Sequence, residues 1–332
     1  MSALHCLLIN SEELYLSIIM EQPVQTNPAQ AVIAHRGGSG LRLENTLAAF
    51  DNAIAAGCDG AELDVHLTAD NALVVHHNAQ LNHRYTKAPD GQWLTRDTQP
   101  KIADLTLAEV QHYRLGPPNP DTDYAASFPD LVVDYEQWIP TLAEVIDRVQ
   151  TLSNSFQLVI EIKSSCLLDP HGRDWQPQVE AIAATVQQYA FAHRAILCGF
   201  DWRSLRYART LLPTAALWMN THPFDWLRAD AASASDLPIG KSFLEALRVS
   251  YAAGAPWYDG LQPHCADDAG RAVKDAGGDC WFGYYSDCTD SAIDSARRVN
   301  VDVGAWTVNL RDPDKRAALR SRALDAVCVD YF

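Results

Sequence analysis

AVIAHRGGSGLRLENTLAAFDNAIAAGCDGAELDVHL, residues 31–67, runs through an apolar stretch, a glycine-rich turn, a helical pattern and a second apolar stretch. Ala31–Ala34 is a short strand of the buried type. Leu47, Phe50 and Ile54 recur three and four residues apart, which predicts a helix over Thr46–Ala56. Gly57 closes that helix, and Asp59–Leu67 is the second strand. Strand, helix and strand in this order predict a parallel pair joined by a crossover helix.

The rhythm continues outward. Leu73–His77 is a third short run, expected to pair back on the second strand. Beyond residue 135 come helix Leu142–Val149, strand Gln157–Ile162, helix Val179–Tyr189, strand Ala195–Phe200, helix Ser204–Leu212 and strand Ala215–Met219. Helix Phe243–Ala252, a strand at Tyr258–Gln262 and helix Ala269–Lys274 follow, then Trp281–Tyr285, which the pattern leaves unassigned. Helix Ser291–Val299, strand Val303–Val308, helix Pro313–Leu319 and strand Ala326–Val329 finish the chain. About eight units point to an α/β fold, a TIM-type (β/α)8 barrel over residues 31–332. Residues 78–135 break the rhythm. They are rich in Pro, Asp, Gln and Gly, with one helix-like piece at Leu105–Tyr113, and read as an insertion serving as a lid or specificity wall. Residues 1–30 read as an N-terminal tail.

The formal charge of −16, from 26 basic and 42 acidic residues, argues against a nucleic-acid partner. A phosphate-containing small molecule is not excluded, because a local cationic pocket or a bound metal overrides the overall field. No apolar run has the length of a membrane span. The eight cysteines form no CxxC pair, which suggests a reducing compartment. Apolar patches at Leu4–Ile9 and Leu14–Met20 are broken by Glu12 and Glu13, and no Lys or Arg precedes Arg36. A secretory signal needs a basic start, so a cytoplasmic location is expected.

Glu62 and Asp64 lie two apart on a strand and therefore share a face. Two carboxylates inside a barrel repel unless a divalent cation joins them, although a solvated strand face gives the same spacing. Glu161 ends another apolar strand, with Lys163 two residues on. The pair reads either as a metal ligand beside a phosphate-binding ammonium or as a simple ion pair. His35-Arg36-Gly37 ends the first strand. Arginine grips phosphate with a planar fork, and histidine moves protons near neutrality. A second imidazole is available from His76 or His77, between which parity does not choose.

Together these segments resemble the glycerophosphodiester phosphodiesterase family. The resemblance rests on Ile33-Ala34-His35-Arg36-Gly37-Gly38, Glu44-Asn45-Thr46 with Phe50, Glu62-Leu63-Asp64-Val65 and Val74-Val75-His76-His77. The spacings agree, 62 − 35 = 27 and 77 − 64 = 13 residues. Glu161-Ile162-Lys163 and Trp306-Thr307-Val308-Asn309 look like the family's later strand ends. The likeness is dense over Ala31–Leu81 and thinner to Phe332.

The resemblance implies that His35 and His77 are the acid/base pair, and that Glu62, Asp64 and Glu161 hold Ca²⁺ or Mg²⁺. Arg36 and Lys163 would grip the phosphate, Phe200 and Trp306 would wall the substrate's apolar side, and Glu44 would buttress the His35–Arg36 turn. The expected reaction is hydrolysis of a small glycerophosphodiester to an alcohol and glycerol 3-phosphate. The alternatives are a phospholipase-D-like lyase giving a cyclic phosphate and a catalytically weak barrel that binds phosphorylated ligands. Asn78 stands where the family commonly has Asp after the second His, Gly199 replaces a Ser, and Val329-Asp330-Tyr331-Phe332 lacks the usual Thr-Asp. His83–Arg84 imitates the first motif without its glycines and reads as loop surface. Trp93, Tyr113, Tyr124, Phe128 and Tyr135 of the insertion are candidates to wall the pocket, and a cationic head group such as choline would suit such rings.

Overall fold

The computed structural model describes residues 30–164, 175–228, 241–308 and 313–332. The tail before Gln30, Cys166 and Asn309 lie outside the described residues. Eight parallel strands close a barrel: β1 Ala31–Ala34, β2 Gly60–Leu67, β3 Gln157–Ile162, β4 Ala195–Gly199, β5 Ala216–Asn220, β6 Cys280–Tyr284, β7 Asp302–Val308 and β8 Ala326–Val329. Each pairs with the next, and β8 returns to β1 with Ala31 opposite Ala326.

The helices run α1 Leu47–Ala55, α2 Leu142–Leu152, α3 Trp175–Gln188, α4 Trp202–Leu211, α5 Lys241–Ala252, α6 Ala266–Ala276, α7 Asp290–Arg298 and α8 Pro313–Arg320. Their starts follow from local chemistry. Thr46 and Thr289 accept hydrogen bonds from Ala49 and Ala292, and Thr141 forms a reciprocal capping box with Glu144. The outward side chains of the strands and the inner faces of the helices make one continuous apolar core. A smaller cluster fills the barrel itself, where Ile33, Val159, Ile196, Cys198, Phe282 and Cys328 meet.

One sequence expectation needs correction, and one unassigned run finds its place. The strand expected at Tyr258–Gln262 is instead a 3₁₀ turn, Pro256–Tyr258, followed by loop. Trp257 and Tyr258 are fully buried there, so their apolar character serves packing and not a sheet. The unassigned Trp281–Tyr285 run supplies β6. It lacks alternation because a barrel strand is buried on both faces.

Leu73–Val75 pairs antiparallel with β2, Val75 opposite Val65, and turns the chain into the insertion. The insertion packs through a second apolar cluster, in which its Tyr85, Leu115 and Tyr124 are buried together with Leu43, Val74 and Ile139 of the flanking chain. Its helix is shorter than expected, Leu107–Val110, and Thr86–Lys87 pairs with Arg114–Leu115. It is therefore a packed cap at the barrel mouth. No helix among the described residues is long and apolar enough to cross a membrane.

Candidate active site

The site is built where β1, β2, β3 and β8 end, the C-terminal mouth that barrel enzymes use. After Ala34 the backbone turns at once. Arg36 takes a left-handed conformation at φ 50°, followed by Gly37 and Gly38 at 83° and 94°. A Cβ on Gly37 would meet Ala49 at 2.6 Å, so only glycine lets the turn seat on α1. This strained turn presents His35 and Arg36 side by side.

His35 Nδ1 lies 2.5 Å from Asp330 Oδ1, at the end of β8. Ser39 donates its hydroxyl to the same oxygen at 2.5 Å. Burial works against a charge on His35, but the Asp330 carboxylate raises the imidazole above its ordinary value. Burial opposes charge on Asp330 too, and His35 holds it below the usual range. An ionised carboxylate only accepts, so Nδ1 carries the proton and Nε2 faces the site, 3.9 Å from Glu62 Oε2.

Glu62 and Asp64 share the inward face of β2, and Asp64 stands opposite Glu161 of β3. One oxygen from each of the three carboxylates lies within 4.8 Å of the others. Glu62 is buried, accepts the Arg36 backbone N–H at 3.1 Å through Oε2, and leaves Oε1 with no hydrogen-bond partner. Burial, then the charge of Asp64, pushes its carboxyl up to about 8. Buried carboxylate oxygens in mutual repulsion, one of them orphaned, fit a hard divalent cation. Asp64 differs from its neighbour. Burial opposes its charge, yet Lys163 above all holds it well below the usual range. Asn45 also donates to its Oδ2 at 2.8 Å.

Lys163 Nζ lies 2.8 Å from Asp64 and 2.7 Å from Glu161, so the ion-pair reading of Glu161-x-Lys163 holds in this arrangement. Arg36 contacts Glu44 at 3.1 Å and Asp64 at 3.4 Å. Glu44 also accepts the phenol hydroxyls of Tyr85 at 3.0 Å and Tyr124 at 3.1 Å, both contributed by the insertion. Glu44 thus ties Arg36 to the cap.

The two adjacent histidines separate cleanly. His76 is buried against Tyr85 and donates Nδ1–H to the Asn78 carbonyl at 2.9 Å. His77 is half-buried and lies on a cavity shared with Arg36. Its Nδ1–H meets the Asn78 amide oxygen at 2.7 Å, leaving Nε2 for chemistry. His66 donates Nε2–H to the His77 carbonyl at 3.1 Å and fixes its backbone. Burial, then the charges of Arg36 and Lys163, holds the His77 imidazole well below its ordinary value.

Across the mouth, Phe200 meets Trp306 edge-on at 5.5 Å and His222 at 4.5 Å. His35, Arg36, His77 and the three acids therefore come to one place, with Lys163 among the acids. Phe200 and Trp306 form a separate aromatic wall. The sequence reading did not single out Asp330, Asn45, Tyr85 or His222 for the site. Of these, Asp330 carried a usable signal, since it ends a barrel strand at the catalytic face. The insertion aromatics divide. Tyr124 and Phe128 line the cavity, Trp93 packs under Lys87 at 4.9 Å, and Tyr135 is 61% exposed. His83–Arg84 is corrected from loop surface to half-buried cavity lining. Tyr85 and Asn119 pack and bond around that segment, which a linear reading does not reveal.

Comparison with known proteins gives one family. The sequence profile of the Glycerophosphoryl diester phosphodiesterase family matches residues 35–332. A glycerophosphodiester phosphodiesterase of Caldanaerobacter subterraneus subsp. tengcongensis is 33% identical over 182 residues, 55% of this chain and 63% of that protein. The matches with this and two Bacillus relatives span just under two thirds of those proteins' lengths. A solved protein of Silicibacter pomeroyi, named for the same activity, is 26% identical with a TM-score of 0.71, covering 93% of this chain and 92% of that one. A phosphodiesterase of Oleispira antarctica, solved with sn-glycerol-3-phosphate, shares the fold at 21% identity and a TM-score of 0.59, over 91% and 94% of the two chains.

Proposed function

Because this chain belongs to the glycerophosphoryl diester phosphodiesterase family, we propose that it hydrolyses glycerophosphodiesters to an alcohol and glycerol 3-phosphate. The observation that carries the proposal is the meeting of two imidazoles, His35 and His77, beside the clustered carboxylates Glu62, Asp64 and Glu161. The carboxylates would hold one Ca²⁺ or Mg²⁺, which when bound supplies positive charge against the phosphate oxygens.

The protein's own groups divide the proton work. His35, backed by the Asp330 carboxylate, is built to become an imidazolium. Its Nε2 takes the proton from the attacking water. As the new P–O bond forms, the P–O bond to the alcohol breaks, and His77 Nε2–H protonates the departing alkoxide. One water is consumed and one alcohol released. The cations that disfavour a proton on His77, Arg36 and Lys163, are those a bound phosphate would pair with. Substrate binding thus favours the protonated form that the step needs. Arg36, held in a left-handed turn and braced by Glu44, offers its fork of donors to the phosphate. Lys163 joins it by turning from Asp64 and Glu161.

The experiment is a panel of glycerophosphodiesters with and without chelator, the product read by phosphorus NMR. Glycerol 3-phosphate, lost on chelation, is expected. A stable cyclic phosphate would mark the lyase instead, and no turnover of any diester would leave only a ligand-binding barrel.

A further inference from the structure

The cavity beside His77, about 320 Å³ in volume, continues onto the insertion, where Asn82, His83, Arg84 and Gln99 line it. This part of the wall is held in place. The His83 N–H donates to Gln99 Oε1 at 3.2 Å, the Arg84 N–H donates to Asn82 Oδ1 at 3.1 Å, and Asn119 binds the carbonyls of both residues at 3.1 and 2.7 Å. The Arg84 guanidinium lies over the Tyr124 ring at 5.1 Å and gives Nη2–H to Asp123 at 2.5 Å. Asp123 is 81% exposed on its side chain and Arg84 only 32%. A pair with so exposed a carboxylate is weak and is readily exchanged for a better acceptor.

We propose that Arg84 makes this wall a subsite for the leaving alcohol, one that favours an alcohol carrying its own anionic group, a carboxylate or a second phosphate, over one that ends in an ammonium alone. The inference rests on the diesterase reading above, in which the alcohol departs on the His77 side. A planar fork of donors beside a stacking ring suits an oxyanion, and the neighbouring Asn82 and Gln99 amides carry no charge. An ammonium would face two guanidiniums, those of Arg36 and Arg84, while the Glu44 carboxylate on the same cavity is already engaged by Arg36 and by the hydroxyls of Tyr85 and Tyr124.

Glycerophosphoserine and glycerophosphoethanolamine differ by one carboxylate and so isolate the effect. We expect the protein to favour the serine diester in kcat/KM by about ten-fold, the scale of one charge-assisted hydrogen bond. Arg84→Gln should bring the ratio near one, and Asp123→Asn, which frees Arg84, should raise it. Calorimetric binding of the two diesters should show the same three ratios, independently of turnover. Binding ratios unmoved by both substitutions overturn the subsite. Absence of turnover with the ratios intact overturns the diesterase reading and leaves the subsite standing.

Discussion

His35 and Asp330 stand 295 positions apart in sequence and 2.5 Å apart in space, the imidazole Nδ1 against the carboxylate Oδ1. Closure of the barrel makes the contact, because β8 returns beside β1 with Ala34 opposite Val329. The carboxylate sets the tautomer of His35 and stabilises the imidazolium that forms when it takes a proton.

Asp330→Asn keeps the shape of that contact and removes its charge. The amide can present either an oxygen or an NH₂ group to Nδ1, so the tautomer is no longer enforced. We expect turnover to fall by about 100-fold or more, the range of a positioned general base, with KM changed only a few-fold. The pH profile supplies a second reading. The folded protein now holds His35 above its ordinary value, so loss of the carboxylate should move the acidic limb of kcat/KM to lower pH. A normal turnover with an unmoved limb would remove Asp330 from the mechanism.

Binding of a divalent cation by Glu62, Asp64 and Glu161 should be visible without any substrate. A ligand held only by the folded state at 100 times its Kd stabilises by about 2.7 kcal/mol, roughly 4 °C in Tm for a chain of this size. We expect Ca²⁺ or Mg²⁺ to raise Tm by that order, and Glu161→Ala to abolish the rise. An equal rise in the variant would place the ion elsewhere.

His76 and His77 make a paired test. His76 is buried against Tyr85, and its removal opens a cavity and leaves the Asn78 carbonyl without a donor. His76→Ala is expected to cost about 2–4 kcal/mol of stability while keeping kcat within a few-fold. His77→Ala should do the reverse, losing turnover with little change in Tm. A loss of turnover in His76→Ala alone would exchange their roles.

Much of this site was legible in the sequence because strand geometry is simple. Glu62 and Asp64 had to share a face, and each clear strand could be expected to deliver its last residues to one mouth. Asp330 was readable by the same rule, but its partner was not, since nothing local links it to His35. Trp281–Tyr285 resisted assignment because a strand buried on both faces loses its period. Tyr85 went unread, Arg84 was read as loop surface, and Tyr124 was one of five candidate wall aromatics, for another reason. They lie in an insertion whose chain path follows from a small cluster shared with Leu43, Val74 and Ile139, and composition shows only that such a segment exists. Glu44 was expected to brace the turn, and it does contact Arg36. That it also accepts two phenols from the cap needed the folded path.

Asn78 is where the chain departs most informatively from its family's pattern. Its amide oxygen accepts Nδ1–H of His77 at 2.7 Å, so the imidazole is oriented but gains no charge stabilisation. Burial and the cations Arg36 and Lys163 are then opposed only weakly, and the imidazole sits well below its ordinary value. Asn78→Asp places a carboxylate against the same nitrogen. An adjacent opposite charge raises a histidine pKa by about 1–3 units. In the proposed mechanism His77 acts as the acid and must be protonated, so activity is expected to fall as pH rises through its pKa. Raising that pKa moves the alkaline limb of kcat/KM upward by about a unit or more and increases the rate at neutral pH. The acidic limb, set by His35, should stay in place. If Asn78→Asp instead moves the acidic limb, His77 is the base and His35 the acid. If neither limb moves, His77 does not titrate in the rate-determining step, and its assignment as the proton donor is wrong.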